Sequence, residues 1–465
     1  MQGVLRPVTA LLLATAIAMA GHGILVMLLP LKASAAGFSS FEIGLMGSAY
    51  FAGLVGGCLI VPSIISRVGH IRAFSAFTAS VTAVPLIHAV AVDPIDWIMF
   101  RMVQGLCCAC LWLVIESWLN ASAYMSTRGR VLGDYTLIQL TLQTVGMQMA
   151  GSIQLDGLQL FSVAAILFSL STLPISLTGA IAPMPPKRNK LRLGWLFGIS
   201  PAATLAALLI GFATGSFWIL APLYAQNAGL SSGASATFVS VALLAGALAQ
   251  WPLGSLSDSL GRRPIITGAA FVAMASSLGL GLFGGMGLWA IFTCSILFGA
   301  ASFPIYTIAL AHANDLVPTK RAIAVSSGML FVFSLGAAIG PFVASVIVEW
   351  AGYNALFTTF AMACALVVFV TVVRIQVRPR IPTRHREDFV IVPRTTPAVF
   401  GLDPRTDDPV ATAIAPQSYA EAYQAAVPDV IAPDGELPSA ASSEQDVSVS
   451  AADSKVLELS SAQGS

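Results

Sequence analysis

The chain has 465 residues, of which 56% are hydrophobic and only 10% are charged, and its mean hydropathy is +0.82. Soluble domains carry roughly 25% charged residues, so the composition excludes a protein whose surface is mostly exposed to water. Residues 1–375 contain 16 Lys and Arg against 9 Asp and Glu, whereas residues 376–465 contain 7 against 13. We therefore predict a basic body embedded in a lipid bilayer and an acidic tail, with no basic run typical of nucleic-acid binding.

Twelve segments are long and apolar enough to cross a bilayer. A transmembrane helix needs about 20 apolar residues, and lipid offers no hydrogen-bond partner to an open sheet edge. The first segment begins like a secretory signal but continues to residue 31, longer than a signal core, so we expect it to be retained. The sequence predicts an all-α membrane protein with twelve transmembrane helices, at residues 7–31, 41–65, 72–91, 96–119, 131–155, 158–182, 200–225, 235–257, 264–285, 288–312, 321–348 and 353–375.

Positive charge is concentrated in the loops on one side of the predicted helices. The loops on the other side contain Lys32 as their one basic residue, together with several acidic residues. Because cytoplasmic loops are enriched in Lys and Arg, we expect both termini to be cytoplasmic and the protein to lie in a bacterial cell membrane. The basic loop residues are Arg67, Arg72, Arg128, Arg130, Lys187, Arg188, Lys190, Arg192, Arg262, Arg263, Lys320 and Arg321.

The chain also divides into two halves that resemble each other. "RVGHIR" follows the second predicted helix and "SLGRRP" follows the eighth, at an offset of 192 residues. Two six-helix units in parallel repeat, with a site between them, are typical of transporters. We predict a first six-helix bundle at 1–182, a polar cytoplasmic loop at 183–199 and a second, pseudo-symmetric bundle at 200–376, which function together as a monomer.

The remaining residues, 377–465, are rich in Pro, Ser, Ala and Asp and show no apolar periodicity. Such a composition cannot bury enough apolar surface to offset the entropy of folding. We therefore predict a disordered, acidic cytoplasmic tail, and a partner-binding role for it is the alternative.

The sequence "GSLSDSLGRRP" at 254–264 fits the pattern G-x-L-x-D-x-x-G-R-R and resembles the loop signature of the major facilitator superfamily (MFS). Gly254 permits close helix approach, Asp258 can accept hydrogen bonds from a neighbouring helix end, and Gly261 turns the chain. Arg262 and Arg263 keep the loop at the cytoplasmic face. The copy in the first half is eroded, with Pro62, Ser66 and His70 at the Gly, Asp and first Arg positions.

Other motifs resemble the same superfamily. "RMVQG" at 101–105 matches its fourth-helix motif, and "GAAIGP" at 336–341 has the form G-x-x-x-G-P, whereas the fifth helix has only "GMQMAG". A closer resemblance is to the bacterial YcaD-like branch, through "SAYFAG", "WLVIES", "RGRVLG", "APLY" and "AQWPLGSLSD". The resemblance covers residues 1–375. It implies a transporter that works by alternating access, and it implies that Arg101 points into the central cavity.

Two charged residues lie within the fourth predicted helix. Arg101 and Glu116 share one stripe with Cys108 and Trp112 and lie about 22 Å apart along the axis, at 1.5 Å per residue. Charges inside a membrane are costly and usually face a cavity or a partner. Arg101 either binds a solute or reaches the outer interface. Glu116 either takes up a coupling proton or closes an inner gate through an ion pair with Arg128 or Arg130.

Polar residues on other helices complete the predicted path. Tyr135, Gln139, Gln143 and Gln154 share one face of the fifth helix, where glutamines either line the path or bind helices together. Asp134 is a second candidate for proton coupling or the inner gate, or an acid of the first helical turn. The substrate-pathway candidates are His22, Arg101, Gln104, Trp112, Gln139, Gln143, Trp218, Tyr224, Gln250 and Tyr306.

We conclude that the sequence predicts a secondary active transporter for a small solute, coupled to protons. No phosphate-binding loop for ATP is present, and we expect no enzymatic activity, catalytic residue, cofactor or metal. The alternative is a membrane sensor or scaffold that signals through its tail. Deletion of 378–465 separates the two, because it would spare transport but silence a sensor.

Overall fold

The computed structural model describes residues 2–123, 127–152, 157–177, 193–282, 287–318, 321–377 and 389–403. These ranges contain helices and no β-strand. Gln154, the basic part of the central loop and most of the predicted tail lie outside the described residues.

The first half contains helices α1 to α7. They are α1 (Gln2–Ala35), α2 (Ser40–Val68), α3 (His70–Val90), α4 (Pro94–Ser122), α5 (Arg128–Ser152), α6 (Gly157–Leu170) and α7 (Thr172–Ser176). Ser39 caps α2 in a capping box with Glu42, and Asp93 caps α4, which has Pro94 in its first turn. Both caps satisfy backbone N–H groups that a helix start leaves without partners.

The second half follows the short helix α8 (Leu193–Ile199). It contains α9 (Pro201–Asn227), α10 (Ser232–Leu260), α11 (Arg262–Leu282), α12 (Leu288–Asn314), α13 (Ala322–Ala351) and α14 (Asn354–Val377). Ser200 caps α9 and Ser231 caps α10. A 3₁₀ turn, Pro397–Leu402, comes after α14.

Eleven spans among the described residues are both long and apolar enough to cross a membrane, with α6 and α7 counted as one span. The twelfth helix of the predicted set, α5, has 25 residues and therefore a length of about 38 Å, enough for a bilayer core of about 30 Å. Its Gln and Thr residues keep it less apolar. The all-α, twelve-helix architecture predicted from the sequence is confirmed.

The same helix pairs pack in both halves. In the first half α1 packs on α5, α2 on α4 and α3 on α6, and in the second half α9 packs on α13, α10 on α12 and α11 on α14. The two halves are therefore a structural repeat, as the sequence offset indicated.

The side of the bundle where α1 begins and α14 ends is called the termini side here. On the opposite side the two halves contact each other closely, through α2 with α13 and α5 with α10. Ser48 Oγ accepts the backbone N–H of Phe342 at 2.9 Å, and Gln148 Nε2 donates to Thr237 Oγ1 at 3.4 Å. The structure is therefore closed between the halves on the opposite side.

The outer surface of the helices exposes many large apolar side chains. Leu248, Trp251 and Phe369 are each more than half exposed, as are Trp289 and Trp350 near helix ends. Soluble proteins rarely expose so much apolar surface, and Trp is enriched where a membrane meets water. A lipid environment accounts for this surface.

One part of the predicted tail has a defined structure. Residues 389–403, called the strap here, lie against the termini side of the bundle, and Val399, Phe400 and Leu402 are buried. The 3₁₀ turn of the strap contacts α4, α13 and α5. The expectation of disorder does not hold for the strap, because its apolar side chains find a surface on the bundle.

Candidate functional site

A polar cluster is buried among α1, α2 and α4. The guanidinium carbon of Arg101 lies 4.4 Å from the ring centroid of Tyr50, and Arg101 Nη1 donates to Gln104 Oε1 at 2.8 Å. The His22 ring lies 5.8 Å from the Tyr50 ring and 6.3 Å from the Trp112 ring. The structure thus brings together His22, Arg101, Gln104 and Trp112, all predicted from the sequence, and adds Tyr50.

This cluster contains hydrogen-bonding groups without partners. His22 Nδ1 and Gln104 Nε2 are buried and make no hydrogen bond, and no acidic residue among the described residues lies within ion-pair distance of Arg101. Buried polar groups are normally satisfied, and a buried charge is normally paired. The cluster therefore has spare donor capacity that suits a ligand with acceptor atoms. Arg101 is only 3% exposed, so it does not reach the outer interface.

Three other predicted pathway residues lie on α5 and α12. Gln139 on α5 is buried with its Nε2 unpartnered, and Gln143 is half-buried where α5 meets Gly23 of α1. Tyr306 on α12 is fully buried, and its hydroxyl has no partner. Gln139 and Tyr306 thus add buried polar atoms that have no hydrogen-bond partner among the described residues.

The remaining three predicted pathway residues belong to the second half. Trp218 is half-buried, with its ring 6.0 Å from that of Phe303, and Gln250 is buried on α10. Tyr224 donates its hydroxyl to the carbonyl of Leu280 at 2.7 Å and packs against Phe357. Tyr224 thus ties α9 to α11 inside the second half and lies apart from the polar cluster.

Glu116 is fully buried near the termini side of α4. It accepts hydrogen bonds from the Tyr135 hydroxyl at 2.9 Å and from the hydroxyls of Thr395 and Thr396 in the strap. The expected ion pair with Arg128 or Arg130 is not formed, and no Lys or Arg of the described chain lies within ion-pair distance of Glu116. The sequence analysis missed the threonines because it assigned the strap to a disordered tail.

Asp134 lies apart from Glu116. Its carboxylate is 4.0 Å from Arg130 Nε on the surface of α5, and both side chains are more than half exposed. An exposed pair of this kind contributes little to stability. The structure gives Asp134 no contact with the polar cluster.

The predicted loop motif joins α10 to α11. Gly261 has φ +106°, a conformation that favours glycine because it has no Cβ. Arg262 donates to Asp258, to Ser257 Oγ at 2.8 Å and to Asp315 Oδ2 at 3.1 Å. Arg263 Nε lies 3.2 Å from His312 Nε2. The motif therefore fixes α10, α11 and α12 to one another on the termini side.

The eroded copy in the first half forms a weaker tie. Gly69 has φ +84° and turns the chain as Gly261 does. His70 replaces the first arginine, and its Nε2 lies 3.2 Å from Ser117 Oγ. Within the part of the chain that the structure describes, the first half therefore has the His70–Ser117 hydrogen bond where the second half has two ion pairs.

The strap begins at the loop motif of the second half and ends on the first half. The Phe389 N–H donates to Asp258 Oδ2 at 3.2 Å, and its ring packs on Gly254, where any side chain would collide with it. Gly401, in the 3₁₀ turn, is in close contact with the side chain of Asn120 at the end of α4. Asp258 thus accepts hydrogen bonds both from Arg262, at the start of α11, and from the strap.

Comparison with known proteins shows which family the chain is similar to. The model of the Major Facilitator Superfamily matches residues 203–407. The MFS-type transporter YcaD of Salmonella newport (strain SL254) is 26% identical over 358 residues, which is 77% of this chain and 92% of that protein.

Solved structures share the fold. The nucleoside transporter NupG matches with a TM-score of 0.67 and 12% identity, over 80% of this chain and 100% of that one. A bacterial homologue of the human lysosomal transporter Spinster, inward-facing and occupied, matches with a TM-score of 0.62 and 13% identity, over 88% and 97%. The family model and the YcaD relative confirm the resemblance predicted from the sequence: the chain is similar to transporters of the Major Facilitator Superfamily, with relatives of the YcaD type.

Proposed function

We propose that the protein is a secondary active transporter that moves a small polar solute across the bacterial cell membrane by alternating access. The observation that carries this proposal is the buried cluster around Arg101, a cation with no acidic partner among the described residues and with unpartnered polar atoms beside it. A purely structural protein has no reason to retain such a cluster, because each unsatisfied buried group costs about 1–3 kcal/mol.

The chemistry of the cluster favours a solute with an acceptor group, such as a carboxylate. Arg101 presents a fork of N–H donors that matches a carboxylate, and Gln104 Nε2 adds an unused donor. Tyr50 and Trp112 supply apolar ring surface around these donors. Binding sites of this kind combine a largely apolar lining with a few placed polar groups.

We also propose that protons drive transport through Glu116. This carboxyl group is buried, has no basic partner in the described chain and accepts hydrogen bonds from the hydroxyls of Tyr135, Thr395 and Thr396. Titratable groups inside membrane proteins commonly mark proton routes. The basic loops favour a cytoplasmic termini side, so closure on the opposite side supports an inward-facing state. We expect a single chain to be sufficient for function.

The experiment that tests transport is ligand-dependent thermal stability of the purified protein, followed by uptake into proteoliposomes. Organic acids, amino acids, betaines, sugars and nucleosides form the panel. A ligand at 100 times its Kd stabilises the protein by about 2.7 kcal/mol, and we expect a carboxylate-bearing compound to do so. The proposal would be wrong if the stabilising compound failed to enter proteoliposomes under any ion gradient, or if no compound stabilised the protein.

A further inference from the structure

Adjacent residues of the strap contact opposite halves of the bundle. Arg394 lies against aromatic rings of α12 and α13, whereas Thr395 and Thr396 bind Glu116 of α4. The strap therefore crosses the space between the halves on the termini side. This is the side left open by the contacts between α2 and α13 and between α5 and α10.

The seat of Arg394 is an aromatic cage. The guanidinium carbon lies 5.1 Å from the ring centroid of Phe333, 5.4 Å from that of Phe303 and 6.0 Å from that of Tyr306. Its Nη1 is buried without a hydrogen-bond partner, and burial lowers the pKa of Arg394 to about 10. The side chain is thus a cation held by ring faces within the distance of about 6 Å at which cation–π attraction acts.

The seat of the two threonines is an acceptor site. Glu116 receives both threonine hydroxyls, and Tyr135 donates to the same carboxylate from α5. The Thr396 hydroxyl also accepts the N–H of Ala398 at 3.3 Å, which begins the 3₁₀ turn. Without the strap, Glu116 would keep Tyr135 as its one partner among the residues described, and its free oxygen positions would suit hydroxyl or N–H donors.

We propose that the cage of Phe303, Tyr306 and Phe333, together with Glu116 and Tyr135, is a binding site for small organic cations that carry hydroxyl or N–H donors. In this structure Arg394, Thr395 and Thr396 of the strap occupy the site in place of such a ligand. The inference rests on the proposed function, because it adds a cation-binding site to the solute path. A zwitterionic solute would satisfy both this site and the donors around Arg101.

Occupation by the strap has a mechanical consequence. Alternating access requires the two halves to move relative to each other, and a segment bound to both resists that movement. The aromatic cage holds Arg394 without an ion pair to any described residue, so a competing cation does not have to break one there. The strap therefore blocks the proposed solute path until a ligand displaces it.

The test measures displacement of the strap in the full-length protein. The variant Val399→Cys places a thiol at a fully buried position of the 3₁₀ turn that does not itself bind Glu116, and its maleimide labelling rate is followed by peptide mass spectrometry. The native Cys364, buried in α14, reports unfolding in the same sample. The probe is the peptide acetyl-Arg-Thr-Thr-amide, and its matched control has citrulline in place of arginine, which is nearly the same in shape but carries no charge.

We expect the arginine peptide to raise labelling at position 399 about fivefold, the change produced when an undocked population of about 10% rises to about half. The citrulline peptide should leave labelling unchanged. Choline should act as the arginine peptide does, and its neutral analogue 3,3-dimethylbutan-1-ol should not. Equal effects of the two peptides, no effect of the arginine peptide and choline, or parallel labelling of Cys364 would each overturn the proposal.

A variant of the cage supplies the second measurement. Phe333→Leu should abolish the difference between the arginine and citrulline peptides, whereas Phe369→Leu, on the exposed surface of α14, should preserve it. Persistence of the difference in Phe333→Leu would place the cation elsewhere. The labelling assay needs no solute movement, so a failure of transport in proteoliposomes and a failure of this site are observed separately.

Discussion

Arg101 and Glu116 lie on one helix, but different kinds of partner hold them. Arg101 has a ring face and one amide oxygen, whereas Glu116 has three hydroxyl donors. The arginine is thus poorly satisfied and the glutamate well satisfied. A poorly satisfied buried charge is costly, so at the scale of single residues Arg101 is the stronger candidate for a binding function.

We predict that Arg101→Gln separates stability from binding. The variant removes a buried cation that has no acidic partner in the described chain, so the protein without ligand should be equally stable or more stable by about 1–3 kcal/mol. Stabilisation by a carboxylate ligand should disappear. Both quantities are measured by thermal unfolding, with the exposed Arg130→Gln as the control. A large loss of stability without ligand would show that Arg101 is a structural tie.

We predict that Glu116→Gln uncouples transport from the proton gradient. Glutamine keeps an oxygen for the hydroxyl donors but takes up no proton. The rate of solute accumulation driven by a pH gradient should therefore fall at least about tenfold, which corresponds to an increase of about 1.4 kcal/mol in the activation barrier. Solute exchange without a gradient should be retained. Proteoliposome uptake measures both, and Asp134→Asn, at an exposed acid on the same side, should change neither. An equal loss of accumulation and exchange would contradict the coupling role.

At the scale of helices, glycines set how closely the repeated pairs approach. A Cβ on Gly53 would meet the backbone of Met102, and one on Gly105 would meet that of Tyr50. In the second half Gly246 and Gly299 play the same part for α10 and α12. Small residues let transmembrane helices pack backbone to backbone, and the repetition of these contacts supports two halves of common design.

Two glycines of α2 provide a prediction with a control in the same helix. Gly53→Ala should destabilise the protein by about 1–3 kcal/mol, because the added methyl overlaps the backbone of α4. Gly56→Ala should be neutral or stabilise by up to about 1 kcal/mol, because a Cβ there meets nothing within 4 Å and alanine favours the helix. Thermal unfolding measures the stability of the two variants relative to the unmodified protein. Equal effects would mean that α2 and α4 pack less closely.

The helices could be predicted from the sequence, because length and apolarity determine a membrane helix. The loop motif could be predicted because a glycine between two such segments favours a turn, and Gly261 adopts the positive φ that such a turn uses. The polar α5 was predicted from its length together with the other spans, although its Gln and Thr residues make it less apolar than they are. The strap could not be predicted, since its short apolar run lies among prolines. Its structure depends on Asp258 and Glu116, which lie 131 and 280 residues before the strap residues that bind them.

At the scale of the whole molecule, the two sides of the bundle are closed by different means. On the opposite side, helices of the two halves contact each other directly, and on the termini side the strap lies between them. The polar cluster around Arg101 belongs to helices that take part in both arrangements. Under the proposed alternating access, entry of a solute to this cluster depends on which closure is released.

Alternating access predicts that a bond between the halves on the opposite side stops transport. Gln148 and Thr237 approach to 3.4 Å across that contact, between α5 and α10. On oxidation, the double variant Gln148→Cys and Thr237→Cys should therefore lose at least about nine-tenths of its uptake, a tenfold effect of about 1.4 kcal/mol. Reduction of the disulfide should restore uptake. Thr267 and Thr371, 2.8 Å apart within the second half, supply the matched pair, and their oxidation should leave uptake unchanged. If the Gln148→Cys, Thr237→Cys variant kept its uptake with the disulfide verified, the halves would not need to separate at this contact. Alternating access from two sides would then not describe this protein.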